Sequence, residues 1–382
     1  MSTKKRLIWV IIFFIIALIL KQTFFPNKNE DTAAAALNNQ KAAATTAANT
    51  DDIKTPAVQI SGNVFGTSYH ITFLPSEMDQ KPEQIQAGLI EFFKQFNSEF
   101  STYDPKSVIS QFNDFDKANV EFPVSRNFAT VIAKAREIWE MTEGYEDVTV
   151  YSLVKAWGFG PGKANDSLTD EQVKELLTHV GMDKLALIEH QDGTFALVKS
   201  DGKLQIDLSS IAKGYAVDLA AQYLAEHGGK NYLVEIGGEI VAKGVNPSNR
   251  PWQVAIDQPR EDGANSVNTI IGIENKALAT SGHYRNFRYV NGKRITHEID
   301  PFTGHSVTHD TVSLTVIAND CMTADGLSTG LYVMGADKAL EIAEKYNLAI
   351  FTIQFKDGKF VMRQSSAFSK AVLTEAELNA KK

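Results

Sequence analysis

Three short runs carry residue types that could act together on a charged ester. Ala324-Asp325-Gly326-Leu327-Ser328-Thr329 sets a carboxylate and a hydroxyl four residues apart, a spacing that a helix turns to one face. Calcium draws many oxygens from a protein, whereas magnesium commonly takes one or two and completes its octahedron with water and substrate phosphates. One Asp with one Thr suits magnesium. The same spacing also describes an ordinary polar helix face with Thr329 bonded back to a carbonyl. Asp207-Leu208-Ser209-Ser210-Ile211-Ala212-Lys213-Gly214 reads as the end of an alternating strand followed by a helix that Ser209 or Ser210 can cap. Its free N–H groups favour an anion. Lys213 falls near the first turn, where the helix dipole disfavours a cation unless an anion is bound. The plainer alternative is a surface lysine with a solvated head. His297 follows a hairpin and precedes Asp300-Pro301, where an imidazole can accept a proton near neutral pH or be merely structural. Taken together, the three runs supply what a magnesium-assisted site for a diphosphate needs.

Other residues have a functional and a packing interpretation side by side. Phe65, Tyr69 and Tyr103 lie near bends at Gly66 and Pro105, where a ring could stack on a flat ligand or fill the core. Gly237-Gly238-Glu239 and Trp157-Gly158-Phe159-Gly160-Pro161 read first as turn and packing signals.

The elements that must position these residues are mixed. Gln59–Phe73 reads as extended with bends at Gly62 and Gly66, and Pro82–Phe100, Asn127–Thr142 and Thr169–Val180 as helices. Strand signals span Leu185–Val198, and a long helix runs from Ser209 to His227 before Gly228-Gly229. Tyr232–Ala242, Trp252–Asp257 and Val312–Ile317 read as strands, and Met322–Val333 as a helix. Asn291-Gly292 and Asp357-Gly358 mark two hairpins. Grouped helices and hairpins without regular alternation predict an α+β fold, one large domain with two lobes spanning residues 58–365. Residues 366–382 read as a solvated tail.

Lys4, Lys5 and Arg6 precede an apolar run from Leu7 to Leu20. As a helix the run spans about 20 Å, short of a hydrocarbon core near ~30 Å, but Lys21 can snorkel and Thr23–Phe25 can extend it. The flanking charge predicts a cytoplasmic N-terminus and an exported remainder. With no small-x-small pattern directly after Leu20, residues 1–26 read as an uncleaved anchor rather than a cleaved signal peptide. Residues 27–57, rich in Ala, Asn, Thr and Asp, read as a tether. The single cysteine, Cys321, excludes an internal disulfide framework, and a net charge of -8 gives no footprint for nucleic acid.

The order of short motifs is more specific than any one of them. Gly62-x-x-Phe65-Gly66-Thr67-x-Tyr69, Ser101-Thr102-Tyr103, Gly144-x-x-Asp147-x-Thr149, Asp207 to Gly214, Glu235 to Glu239, Ala279 to Gly282, His297 to Gly304 and Ala324 to Thr329 together resemble the ApbE family. The family's members are magnesium-dependent FAD:protein FMN transferases, and the resemblance covers about Val58 to Val361.

That resemblance implies a T-fold-related domain and assigns roles by position. Magnesium would be held by the Ser210 carbonyl, Asp325 and Thr329. FAD, the substrate, would contact Phe65, Tyr103, Asp147, Val148, Thr149, Asp207, Lys213 and Ile299, and His297 would be the catalytic base. A threonine of an acceptor protein would attack the FMN-side phosphorus and AMP would leave. The implied acceptors are flavoprotein subunits of membrane electron-transfer complexes of Rnf or NQR type, on the periplasmic side of the inner membrane. The expected acceptor stretch, Asp-x-x-Ser/Thr-Ser-Gly-Ala-Thr, does not occur in this chain, so the acceptor is a separate protein. Five positions depart from the family pattern: Phe65 replaces Met, Glu146 an aromatic residue, Val148 Pro, and Ser209 and Ser210 glycines. An FAD pyrophosphatase and a non-catalytic FAD-binding protein are the alternatives.

Overall fold

Eight antiparallel strands, met in chain order, form the central sheet: β1 (Val58–Val64), β2 (Thr67–Phe73), β3 (Tyr232–Ile236), β4 (Glu239–Lys243), β5 (Lys276–Gly282), β6 (Thr311–Ala318), β7 (Ala349–Lys356) and β8 (Lys359–Gln364). The computed structural model describes residues 56–162, 168–259, 265–282, 287–290, 293–374 and 377–378. The predicted α+β class matches this arrangement, and residues Ile53–Lys382 form one compact unit. The anchor expected at residues 1–26 lies outside the described residues, as does the tether up to residue 55. Among the described residues no helix is long and apolar enough to cross a membrane.

Period-two alternation produces the sheet's two faces. On β2, Tyr69, Ile71 and Phe73 are buried. On β5, Ala277 and Ala279 join one core and Leu278 the other. Among the helices that pack on the first core are α1 (Pro82–Phe100), α2 (Arg126–Met141), α3 (Ala212–Glu226) and α4 (Cys321–Met334). Helix α1 buries Ile85, Leu89, Phe93, Phe96 and Phe100, a stripe at intervals of three and four. Helix α4 is buried on nearly every side, consistent with its apolar composition.

The second face is covered by a two-stranded ribbon, Trp252–Pro259 with Asn265–Ile273. The C-terminal segment packs there too, contrary to the expected solvated tail. Phe368 and Leu378 are buried, Leu373 exchanges backbone hydrogen bonds with Gly272, and Arg250 Nη2 donates to the Leu378 carbonyl at 2.6 Å. The short apolar positions in an otherwise polar stretch carry that packing.

The extended run expected at Leu185–Val198 is a hairpin, Leu185–Glu189 with Phe195–Lys199, because Asp192 Oδ1 accepts from the Thr194 N–H at 3.0 Å and makes a tight turn. The bend expected at Gly62 is absent. Gly62 lies within β1, and a Cβ there would come within 2.7 Å of the Tyr69 ring. The Asn291-Gly292 turn lies outside the described residues, although its flanking strands pair as expected.

Candidate active site

Helix α4 carries Asp325 and Thr329, and its start is fixed by two carboxylates. Asp320 accepts from the Thr323 N–H at 2.8 Å, and Asp218 of α3 accepts from the Cys321 and Met322 N–H groups at 2.7 and 2.8 Å. Helix α3 can approach so closely because of Gly214, where a Cβ would stand 2.3 Å from the Cys321 carbonyl oxygen. The Gly214 N–H then donates to Asp325 Oδ2 at 2.8 Å. One turn along α4, Thr329 Oγ1 lies 3.1 Å from Ser281 Oγ of β5.

The serine cap expected for α3 does not form. The helix starts after Ile211 without a side-chain cap, the Ser209 N–H donates to Asp207 Oδ1 at 2.9 Å, and Ser210 Oγ donates to Glu146 Oε1 at 2.5 Å. Lys213 Nζ donates to Glu239 Oε1 at 2.6 Å, so the protein itself supplies an anion beside this lysine. Glu239 follows the Gly237-Gly238 turn, whose φ values of 68° and 109° demand glycine or a strained backbone. The stretch that reads as a turn in sequence therefore also delivers a carboxylate to the site.

A second wall comes from the segment around Asp147. Its Oδ1 accepts from the Thr149 N–H and hydroxyl at 2.8 and 2.5 Å, and Thr149 Oγ1 accepts from the Gly181 N–H at 2.6 Å. The Val148 carbonyl accepts from the Asp207 N–H at 2.7 Å and ties the two segments together. Tyr103 stands on the rim, 69% exposed, with its hydroxyl donating to the Phe159 carbonyl at 3.2 Å. His297 has Nε2 3.4 Å from Glu298 Oε1, and Ile299 is buried beside it among Leu153, Val154 and Trp157.

These walls enclose a cavity of about 370 Å³. Nine of the residues singled out from sequence line it: Tyr103, Asp147, Asp207, Ser210, Lys213, His297, Ile299, Asp325 and Thr329. Three do not. Val148 is in the core, and Thr149 is buried behind Asp147 as its hydrogen-bond donor. Phe65 occupies the β1–β2 turn with φ of 51° and packs on Phe93 and Phe96 at ring distances of 5.9 and 5.3 Å. Sequence reasoning missed Glu239 and Glu298 as site residues and treated Glu146 only as a departure from pattern. All three line the cavity. Their one signal in sequence was position, each being adjacent to or within a motif already noted.

Carboxyl groups crowd the interior. Burial raises the Glu146 carboxyl well above its usual range, the Ser210 hydroxyl acts against this, and Glu298 and Asp325 add repulsion. Burial also raises Asp325, with Lys213 opposing and Glu239 adding to the shift. Burial works against the Lys213 charge, but Glu239 and Asp325 together carry its pKa above the ordinary lysine value, so it remains an ammonium. Glu239 Oε2 is buried without a hydrogen-bond partner. That orphaned oxygen, the Asp325 carboxylate and the Thr329 hydroxyl are hard donors facing one cavity, and they fit a small divalent cation such as magnesium. Among the described residues no group of three or more His, Cys, Asp or Glu is placed to hold a metal, so such a cation would complete its shell with water and ligand oxygens.

Known proteins resemble the chain along most of its length. Residues 65–352 match the model of the ApbE family. A Haemophilus influenzae protein named FAD:protein FMN transferase is 44% identical over 330 residues, covering 85% of this chain and 93% of its own. A Vibrio cholerae protein of the same name is 39% identical over 312 residues, covering 81% and 91%. The solved structure of the flavin transferase ApbE from Vibrio cholerae superposes with a TM-score of 0.76 at 38% identity, covering 83% of this chain and 99% of that one. The apo form of the Pseudomonas stutzeri flavinyl transferase ApbE gives 0.75 at 31% identity, covering 84% and 98%. By sequence and fold, the chain belongs to the ApbE family.

Proposed function

We propose that the protein is a magnesium-dependent FAD:protein FMN transferase that modifies a threonine of a separate acceptor protein. The observation that carries this reading is the convergence in one cavity of a half-buried lysine, a histidine at the wall and a set of hard oxygen donors. Lys213 would neutralise charge on the diphosphate of FAD, and His297 would take the proton of the acceptor hydroxyl. The new bond joins the threonine oxygen to the FMN-side phosphorus. The bond from that phosphorus to the bridging oxygen breaks, and AMP leaves with the oxygen. The Ser210 carbonyl, Asp325 and Thr329 would hold magnesium. When bound, the ion supplies electrostatic stabilisation of the diphosphate oxygens. Tyr103, exposed on the rim, offers a ring to a planar portion of FAD.

The location rests on sequence. Lys4, Lys5 and Arg6 before the apolar run support an inner-membrane anchor with the catalytic domain on the periplasmic side. Acceptor flavoprotein subunits of Rnf or NQR type complexes are the corresponding partners. The test is incubation with FAD, magnesium and a protein bearing the acceptor stretch, followed by weighing the acceptor. A gain of one FMN is expected, lost when the acceptor threonine is replaced and lost in Asp325→Ala. Free AMP and FMN without a mass gain would instead establish a pyrophosphatase, and intact FAD a binding protein.

A further inference from the structure

Strand β5 outruns its neighbour. Its pairing with β4 ends at Leu278↔Ile240, while its pairing with β6 continues through Thr280↔Thr315 to Gly282↔Ser313. Among the described residues no strand pairs with the β4-side edge of Ala279–Gly282. An unpaired edge of this kind offers backbone donors and acceptors to an incoming extended chain.

The edge stands on the lip between two hollows. One is the cavity described above. The other is a groove of about 340 Å³ whose lining includes Ile240 and Leu278 of the sheet and Ala255 and Asp257 of the ribbon. Gly237, Thr280 and Gly282 line both hollows. Two of these three shared positions lack a side chain, so a polypeptide backbone can cross the lip without meeting bulk. Exposed Tyr103 lines the cavity and not the groove.

We propose that the groove and the open edge of β5 receive the acceptor polypeptide as a short extended strand, which crosses the Gly237–Gly282 lip and delivers its hydroxyl into the cavity. This rests on the reading that the second substrate is a protein. Main-chain hydrogen bonds to Ala279–Gly282 would hold the segment in register, and the flavin nucleotide would occupy the cavity from the Tyr103 side. The continuity of groove and cavity through three shared residues favours a chain that enters both over a ligand confined to either.

The test uses Ala255→Trp. Ala255 is exposed on the ribbon, lines the groove and does not line the cavity. The probe is a synthetic peptide spanning Asp-x-x-Ser/Thr-Ser-Gly-Ala-Thr, with FMN transfer read by mass spectrometry and FAD affinity by flavin fluorescence. The expected result is a KM for peptide raised about tenfold or more, with FAD affinity unchanged. An unchanged peptide KM would overturn the proposal, and so would a parallel loss of FAD affinity, which would place the nucleotide in the groove. In the wild-type protein with FAD bound, the peptide should also slow hydrogen exchange at the Ala279–Gly282 amides, and no slowing would overturn the edge pairing. Transfer by the wild type with an unaltered variant defeats this proposal alone. Absence of any transfer, to the peptide or to whole acceptor protein, defeats the transferase reading and this proposal with it.

Discussion

Lys213→Met keeps the apolar stem of the side chain and removes its ammonium, which isolates the role of one charge. In the wild-type protein Nζ lies 2.6 Å from Glu239 Oε1, with the side chains 33% and 5% exposed. At an effective dielectric of about 20 the gross attraction is about 6 kcal/mol. Withdrawing the glutamate from water takes back most of that, and solvent at the partly exposed lysine screens the remainder, leaving about 1–2 kcal/mol net. The variant also leaves Glu239 beside Asp325 without a counter-charge, so the expected loss of stability is about 2–3 kcal/mol. The catalytic effect should be larger. Removing one preorganised donor from developing charge lowers kcat about 10²–10³-fold, or roughly 3–4 kcal/mol of barrier. The assay is kcat at saturating FAD and acceptor beside the urea midpoint of the same preparation. Glu239→Gln, which retains the ammonium, should fall less in kcat than Lys213→Met. If Lys213→Met kept kcat within about fivefold of wild type while losing stability, the lysine would be a structural counter-ion and its assignment to the diphosphate would be wrong.

His297→Ala should lower kcat by about 10²–10⁴-fold while FAD affinity shifts little, and equal losses in both would make His297 a binding residue. Phe65→Met should cost about 1–2 kcal/mol through lost contacts with Phe93 and Phe96 yet leave the KM for FAD unchanged; a large rise in that KM would return Phe65 to the site. Asp218 supplies a pH dependence. Burial raises its carboxyl to about 7 against the opposing Cys321 and Met322 N–H groups. The native state therefore holds an extra proton between about pH 4 and 7, and stability from this group falls as pH rises through that window, by at most about 1.4 kcal/mol per unit. Urea midpoints at pH 5 and pH 8 should drop more in wild type than in Asp218→Asn, and parallel profiles would show that the carboxylate titrates at its ordinary value.

Long periodic segments were the most legible part of the chain. Pro82–Phe100 follows to the residue from its unbroken apolar stripe. Ser209–His227 was read three residues too long at its start because two serines imitate a cap, whereas Ser210 Oγ spends its hydrogen bond on Glu146, remote in sequence. Asp325 and Thr329 share a helix, and their common face follows from spacing alone. Glu239 and Glu298 were not legible as site residues. Nothing local distinguishes a carboxylate after a glycine turn from any other, and only the pairing of distant strands brings Glu239 to Lys213. Phe65 lies outside the cavity lining, a placement that sequence does not decide, since an aromatic beside a motif glycine suits a ligand contact or a turn equally well.

The strand order of the central sheet sets a timetable for folding. Neighbouring strands follow one another along the chain, but β2 and β3 are separated by about 160 residues. Closing that interval costs about 4 kcal/mol more chain entropy than closing a two-residue turn. The β1–β2 hairpin can form early, yet it cannot dock until the intervening helices have condensed and presented β3. Lys213 and Asp207 lie inside that long interval, whereas Glu239, His297 and Asp325 lie beyond it. The cavity therefore needs the helices of that interval docked on the strands that follow it. Refolding followed by recovery of catalysis should lag behind refolding followed by helix content, and a partly folded chain should hold its helices while remaining inactive.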